Sequence, residues 1–504
     1  MVYSKGHGDG IYDESSNSIR YAIEISDGIT AKKISIVEFK PAYQEVMPLL
    51  EKLRELTSPV PSPSAMTDQL SSPQWPQFGY DPESTGRSPN RGPAIARAQW
   101  AFKEPNAIRC RMQIYATPAV LDDSGNLYFG LSNGYFVSLT PQKTERWRYA
   151  LADRYDRKQC DSDRAKEPGG FYDHNIRYSP IIDNTGTVYF GTSGALNAKK
   201  FIALDKDTGK EKWNIDLNGS LNGHPKLGHN GKIYFTTESR VYSVDSNRHV
   251  KSVQLANHRG ISPAVTRDSV YVCARKSLVA FNLDLTKKWE YRDRFITKLA
   301  WCAPAVNPEA GLIHFVANGP RPMERTSRRE HRLYAVNTDG TLAWTADTYW
   351  VEASPAIGYD GTIYVGACDL SINTRSKKYM EKGNGLFMAY SPDGREKWRY
   401  YIPPVLGCKK GTDPDCPDTD HWKNARCSDS APIVDPGGTI YFDSDAGLYI
   451  ALNPDGSEKW LFDRKSAHFF FHELDGGGII SKDGTLYLSD AGGQGGGVYA
   501  VSEP

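Results

Sequence analysis

The densest collection of chemically capable side chains is the stretch CKKGTDPDCPDTDHWKNARC at positions 408–427. Cys408, Cys416, His421 and Cys427 supply three sulfurs and one imidazole, a donor set that suits tetrahedral zinc. No Cys-x-x-Cys spacing accompanies them. Asp413, Asp415, Asp418 and Asp420 offer the oxygens that calcium prefers, yet the glycine and terminal glutamate of an EF-hand loop are missing. A local disulfide, or a polar loop with free thiols, is the third reading. All three remain open on the sequence.

Two other segments concentrate positive charge. NGPRPMERTSRREH at 318–331 carries Arg321, Arg325, Arg328 and Arg329, and CDLSINTRSKKYMEKGN at 368–384 carries Arg375, Lys377, Lys378 and Lys382. A basic rim of this kind would dock an acidic protein segment or another anionic ligand, although solvated loops also carry such charges. His468 and His472 in AHFFFHEL read as residues at a sheet edge rather than as catalysts. No nucleophile motif, phosphate-binding loop or His-Glu metal motif occurs, so no catalytic residue is assigned.

Bulk properties narrow the class. With 61 Lys and Arg against 60 Asp and Glu, nothing global favours nucleic acid or an anionic membrane as partner. The first thirty residues hold no apolar core of an export signal, and no run of eighteen apolar residues predicts a membrane span. The expected compartment is therefore the cytoplasm, or the periplasm or extracellular space if the N-terminus is incomplete. Eight cysteines in 504 residues are too sparse for a disulfide scaffold. The 29 tyrosines and 11 tryptophans, together with 45 glycines and 31 prolines, suit many short strands separated by turns.

What must position the loops is a repeat. Ala389 to Trp398 reads AYSPDGREKW, and Ala451 to Trp460 reads ALNPDGSEKW. The same spacing links Ala335 to Trp344 and Ala280 to Trp289; Ser138 to Trp147 keeps it without the alanine, and Ala203 to Trp213 has one residue more. A second phrase precedes each, as in SPAIGYDGTIYVG from Ser354. Its proline recurs at Pro118, Pro180, Pro225, Pro263, Pro304, Pro355 and Pro432, with Gly478 in the last copy. Each unit reads as four short strands joined by turns in which Asp-Gly and Asn-Gly supply positive φ. A single such meander cannot cover both its faces, so the units must stack around an axis. The eighth stops at GVYAVSEP without a Trp strand, and RAQWAFKE at 97–104 is a Trp strand with no meander before it. The predicted fold is all-β: an eight-bladed β-propeller of four-stranded antiparallel blades over 75–504, its last blade closed by the strand around Trp100, behind a small N-terminal α+β module.

These units resemble the PQQ-like, or quinoprotein-like, β-propeller repeat, typified by ALDKDTGKEKW at 203–213, and WPQFGYDPESTGRSP at 75–89 is similar to the lead-in segment of its single-domain members. The resemblance covers roughly 430 residues. It implies two kinds of function: a non-catalytic scaffold, as in members similar to the bacterial outer-membrane assembly lipoprotein, or a PQQ-dependent dehydrogenase oxidising alcohols or sugars with PQQ and Ca2+. Such dehydrogenases carry an adjacent Cys-Cys pair over the cofactor, and this sequence has none. The expected function is a protein-binding or ligand-recognition scaffold without a cofactor. The repeated tryptophans are read as structural, each burying enough surface for about 4 to 6 kcal/mol.

In a meander, connections between second and third strands and between successive blades leave from one face. The long insertions at 152–177, 318–331, 368–384 and 403–428 are all of these two kinds, which makes that face the expected working surface. Ahead of the propeller, RYAIEISDG and KKISIVEF predict two strands, and Val46, Leu49, Leu50, Leu53 and Leu56 repeat at helical spacing, so residues 1–57 are expected to form a ββα module. Residues 58–74, rich in Pro and Ser, are expected to be a tether.

Overall fold

The computed structural model describes residues 72–104, 113–151, 176–193, 199–255, 261–274, 276–296, 298–299, 303–318, 331–351, 353–369, 384–403, 427–428, 430–444, 448–463, 477–489, 491–494 and 497–503, and the backbone of three strands before them. The chain divides into two compact units, Met1–Gln69 and Leu70–Pro504. In the first, Ile11–Asp13, Ser18–Ser26 and Ala31–Ile36 form an antiparallel sheet in chain order. Ile11–Asp13 is a strand the sequence reading does not anticipate, and the helix expected around Val46 to Leu56 lies outside the described residues.

The second unit is an eight-bladed β-propeller. Blades 1 to 8 fall at residues 120–150, 181–216, 226–254, 264–291, 305–347, 356–401, 433–463 and 479–502. Blade 6 shows the plan: Ala356–Ile357 is innermost, followed outward by Ile363–Asp369, Asn384–Tyr390 and Glu396–Tyr401, all antiparallel. The preceding proline, which has no N–H to give, sits just ahead of the innermost strand and keeps it short. Blades 1 to 7 are each continuous in sequence. In blade 8, Ile479–Ile480, Leu486–Ser489 and Gly497–Ser502 are followed outward by Arg97–Lys103, so the outermost strand comes from ahead of blade 1. Gln113–Tyr115 also pairs with Ala491–Gln494, a second tie across the same seam.

The repeated Ala–Trp spacing has a geometric cause. Ala203, Ala280, Ala335, Ala389 and Ala451 each pair with the Trp of the next strand, as do Ser138 and Ala500, and a register shift follows each pair. That bulge turns the indole outward and sideways, toward the neighbouring blade. Trp147, Trp289, Trp344 and Trp398 donate their indole N–H to the Lys206, Thr338, Pro392 and Pro454 carbonyls of the next blade at 2.9, 3.0, 2.9 and 2.9 Å. Across the seam Trp100 donates to Pro141 O at 3.0 Å, and Trp460 donates to Pro93 O at 2.9 Å. Glycines at positive φ lie close against several of the rings: a Cβ on Gly394 would stand 2.6 Å from Trp344. In the turn that receives Trp100, Lys143 holds the corresponding place at a φ of 69°, so glycine is favoured there without being obligatory. All six repeated tryptophans named from the sequence are half-buried, so the full-burial figure for them is too large.

Blade 3 departs from the rule. Lys251 pairs with Ser243 where the other blades set Trp opposite a small residue, and it reaches Asp284 of blade 4 at 3.5 Å. The receiving turn then has no ring to admit, and Leu285 occupies the positive-φ position at 64°.

Candidate functional site

Each innermost strand would leave an unpaired edge toward the axis, and unpaired buried N–H groups are costly. The lead-in segment removes that cost blade by blade. Trp75 exchanges backbone hydrogen bonds with Leu121 of blade 1 at 3.2 and 2.9 Å. The N–H groups of Ile182, Val265, Val306, Ile357 and Val434 donate to the carbonyls of Pro76, Pro82, Glu83, Thr85 and Gly86 at 2.9, 2.8, 2.9, 2.8 and 2.9 Å. Leu227 N–H donates to the Gln77 side chain at 2.7 Å, and Asn90 Nδ2 donates to Ile480 O at 3.0 Å. Residues 75–90 thus touch blades 1 to 8 in order, passing once around the axis. Gly86 must be glycine here, since a Cβ would lie 2.6 Å from Pro432 O.

The same segment gathers buried charge. Lys226 Nζ, on the first strand of blade 3, donates to Phe78 O and, at 3.0 Å, to Asp81 O. Burial brings its pKa down to about 8. Burial likewise raises the Asp81 carboxyl to about 6, against the hydrogen bonds it accepts from Thr85. His224 stacks on Phe78 at 3.8 Å, its Nδ1 accepts the Ser179 N–H at 2.9 Å, and burial holds it neutral down to about 3. Glu83 meets His229 at 2.6 Å. Every one of these groups faces the backbone of the lead-in segment or a group on it, so the cluster fastens that segment in place.

A quinone cofactor is the ligand that the resemblance implies, and the hub can be tested for it. The cavity beside the axis, bounded by Trp75, Phe78, Ser84, Pro118, Pro355 and Pro432, is about 20 Å3, enough for about one water. A ligand the size of a quinone cofactor needs roughly 300 Å3 or more. Its carboxylates would need cations, and the buried ammonium of Lys226 is already engaged by two carbonyls. The described residues of the hub therefore do not fit PQQ. No group of three His, Cys, Asp or Glu suited to a metal occurs among the described residues.

The opposite ends of the blades open toward the long insertions. Leu151 and Ile176, Asn318 and His331, Asp369 and Asn384, and Pro403 and Cys427 mark where four of them leave and rejoin the described structure, all on one face of the ring by the antiparallel strand order. Arg321, Arg325, Arg328, Arg329, Arg375, Lys377 and Lys378 lie outside the described residues, as do Cys408, Cys416, His421, His468 and His472. Cys427 is described, and it forms a disulfide with Cys368, with Cα atoms 4.9 Å apart. A sulfur so bonded is not a thiolate, so in this form the Cys₃His set loses one of its four ligands. Of the three readings of the 408–427 loop, a disulfide is the one with a structural counterpart, although its partner Cys368 lies outside that loop. The bond joins the start of one long insertion to the end of another.

Sequence reasoning also missed a group on this face. Phe295, in the connection from blade 4 to blade 5, is 40% exposed and has Arg294 and Arg332 over its ring at 4.7 and 4.0 Å. Arg332 opens the third strand of blade 5, far from Phe295 in the chain, and no spacing signal joins them.

The fold and its hub define a closed eight-bladed β-propeller whose inner strands are bonded in turn by its own lead-in segment. The family described as outer membrane protein assembly factor BamB matches residues 197–317. The match spans about a quarter of the chain, and the repeats around the rest of the ring are similar to those of the PQQ-like β-propeller. Among solved structures, quinohemoprotein alcohol dehydrogenase ADHIIG from Pseudomonas putida HK5 aligns with a TM-score of 0.56 at 13% identity, over 85% of this chain and 80% of that one. The C-terminal WD40 domain of Sif2 aligns at 0.50 and 9% identity, over 81% and 99%. BamB from Moraxella catarrhalis aligns at 0.48 and 13%, over 81% and 98%. Comparison with curated proteins finds no match. No helix among the described residues is long and apolar enough to cross a membrane.

Proposed function

We propose that the propeller is a non-catalytic scaffold that binds a protein partner or an acidic ligand through the face bearing the long insertions. The observation that carries this reading is the division of labour between the two faces. On one side the lead-in segment occupies the axis and caps every inner strand, and on the other four long insertions leave a rigid ring from neighbouring strand ends. Loops of that length on a rigid frame are where recognition concentrates. The basic residues of 318–331 and 368–384 would then contact an acidic partner. The alternative of a PQQ-dependent dehydrogenase lacks support in the hub geometry described above.

The Cys368–Cys427 bond bears on compartment. Structural disulfides persist in oxidising surroundings and are rare in the cytosol. We therefore propose that this protein works in the periplasm or outside the cell, in preference to the cytoplasm expected from the sequence.

Affinity purification of the full chain, of a chain lacking residues 1–69, and of a variant with Arg325, Arg328 and Arg329 replaced by Glu tests the scaffold. Retention of a partner by the first, and its loss with the charge reversal, is the expected result. Stoichiometric quinone in the absorbance spectrum, with dye reduction by alcohols, would overturn it.

A further inference from the structure

We propose that Arg294, Phe295 and Arg332 form a docking site for a short acidic peptide segment carrying an apolar residue beside its carboxylates. The site deepens the scaffold reading and rests on it, but uses none of the basic residues of the long insertions. Arg294 and Phe295 lie in the blade 4 to blade 5 connection, and Arg332 begins the strand that follows the 318–331 insertion. Both positions belong to the face proposed for recognition.

The neighbouring charges show which cations are free to act. Arg292 is 2.7 Å from Glu290, which also holds Lys287 at 2.6 Å, so that pair of cations is satisfied within blade 4. Asp293 turns one carboxylate oxygen back to accept the Phe295 N–H at 2.9 Å, and the other lies 3.5 Å from the hydroxyls of Tyr291 and Tyr334. Arg294 and Arg332 have no ion-pair partner among the described residues, and the buried Nε of Arg332 has no acceptor. Instead both guanidinium groups rest on the Phe295 ring.

That arrangement selects among anionic ligands. A guanidinium held over an aromatic ring keeps its N–H fork available for a carboxylate, while the ring limits its freedom and lowers the entropy lost on binding. The exposed part of the ring offers an apolar contact beside the charge. A nucleic acid or sulfated polysaccharide would instead require a continuous basic track, and Glu290 and Asp293 interrupt one here. Two cations around one ring suit one or two carboxylates next to a leucine-like side chain.

The probe is a fluorescein-labelled peptide of four glutamates around a central leucine, capped by glycines, titrated with the full chain and read by anisotropy. Saturable binding that weakens from low to moderate salt is expected, and Arg294→Glu should weaken it about tenfold or more with an unchanged melting temperature. Phe295→Ala should weaken both this peptide and its binding advantage over a glutamate-only peptide. Arg395→Glu, on the opposite face, where Arg395 is paired with Asp393 at 3.0 Å, should leave affinity unchanged. No saturable binding, equal loss with Arg294→Glu and Arg395→Glu, or tighter binding of a heparin octasaccharide or a thymidine oligonucleotide would each overturn the assignment. If purification returns a partner that Arg294→Glu neither releases nor weakens, this site fails while the scaffold stands. Bound quinone with dye reduction would overturn the scaffold whatever the peptide does.

Discussion

Replacing Gly394 with alanine isolates the stacking device that joins the blades. Gly394 has a φ of +86°, and an added Cβ would lie 2.6 Å from Cε3 of Trp344 on the preceding blade. The left-handed backbone costs an alanine about 1 kcal/mol. Moving the ring aside adds about 1 to 3 kcal/mol of overpacking. Disturbing the 2.9 Å bond from Trp344 Nε1 to Pro392 O adds about 1 kcal/mol. The expected loss is about 3 to 5 kcal/mol. Gly231 is the internal control, because its φ is +72° and a Cβ there would meet nothing within 4 Å. Gly231→Ala should lose only about 1 kcal/mol. Both variants are compared with the parent by urea titration followed through tryptophan fluorescence, at equal slope. A cycle that adds Trp344→Leu should recover at least about 1 kcal/mol of coupling for Gly394→Ala and none for Gly231→Ala. Equal losses for the two alanines, or no coupling, would refute the stacking argument.

Acid should destabilise the propeller through its buried histidines. Burial holds His224 and His314 neutral to about 3 and His331 to about 4, so below pH 6.5 the unfolded chain binds protons that the folded one does not. Stability then falls as pH falls, by about 2 kcal/mol per histidine between pH 7 and 5, and Asp81, raised to about 6, offsets about 1 kcal/mol of the total. A urea midpoint that is flat or higher at pH 5 than at pH 7 would contradict this. Lys226→Met should destabilise by about 2 kcal/mol at pH 7, since Phe78 O and Asp81 O lose their donor, and an unchanged midpoint would show that the ammonium does not fasten the lead-in segment. Cys368→Ser opens a loop closed across 59 residues and should lose about 3 to 4 kcal/mol under oxidising conditions but nothing in dithiothreitol. Equal stability of the two proteins without reductant would exclude the bond.

The propeller was legible because its construction repeats. An indole, a small residue opposite it and a tight turn to receive it recur at nearly every blade junction, and a requirement met that often leaves a period in the sequence. Blade 3 is faint for the complementary reason: Lys251 satisfies the junction with an ion pair, so the marker residue is gone while the blade remains. The hub is used once per molecule. Nothing in WPQFGYDPESTGRSP repeats, and its carbonyls, which do most of the bonding, have no side-chain signature. Cys368 and Cys427 are joined where the connection from blade 6 to blade 7 meets the end of the second strand of blade 6, and Arg332 reaches Phe295 across a strand end. Such contacts depend on three-dimensional closure, which spacing along the chain does not encode.

The strand Arg97–Lys103 and its partner Gly497–Ser502 also set a timetable. At about 5 to 20 residues per second, the ribosome delivers the second roughly 20 to 80 s after the first. Throughout that interval the outermost strand of blade 8 has no blade, and residues 75–90 await inner strands not yet made. The growing chain must keep both segments from other partners until Gly497–Ser502 emerges. Closure of blade 8 is then a late event, and a chain released before that strand is made would keep at most the short Gln113–Tyr115 tie to Ala491–Gln494 across its seam.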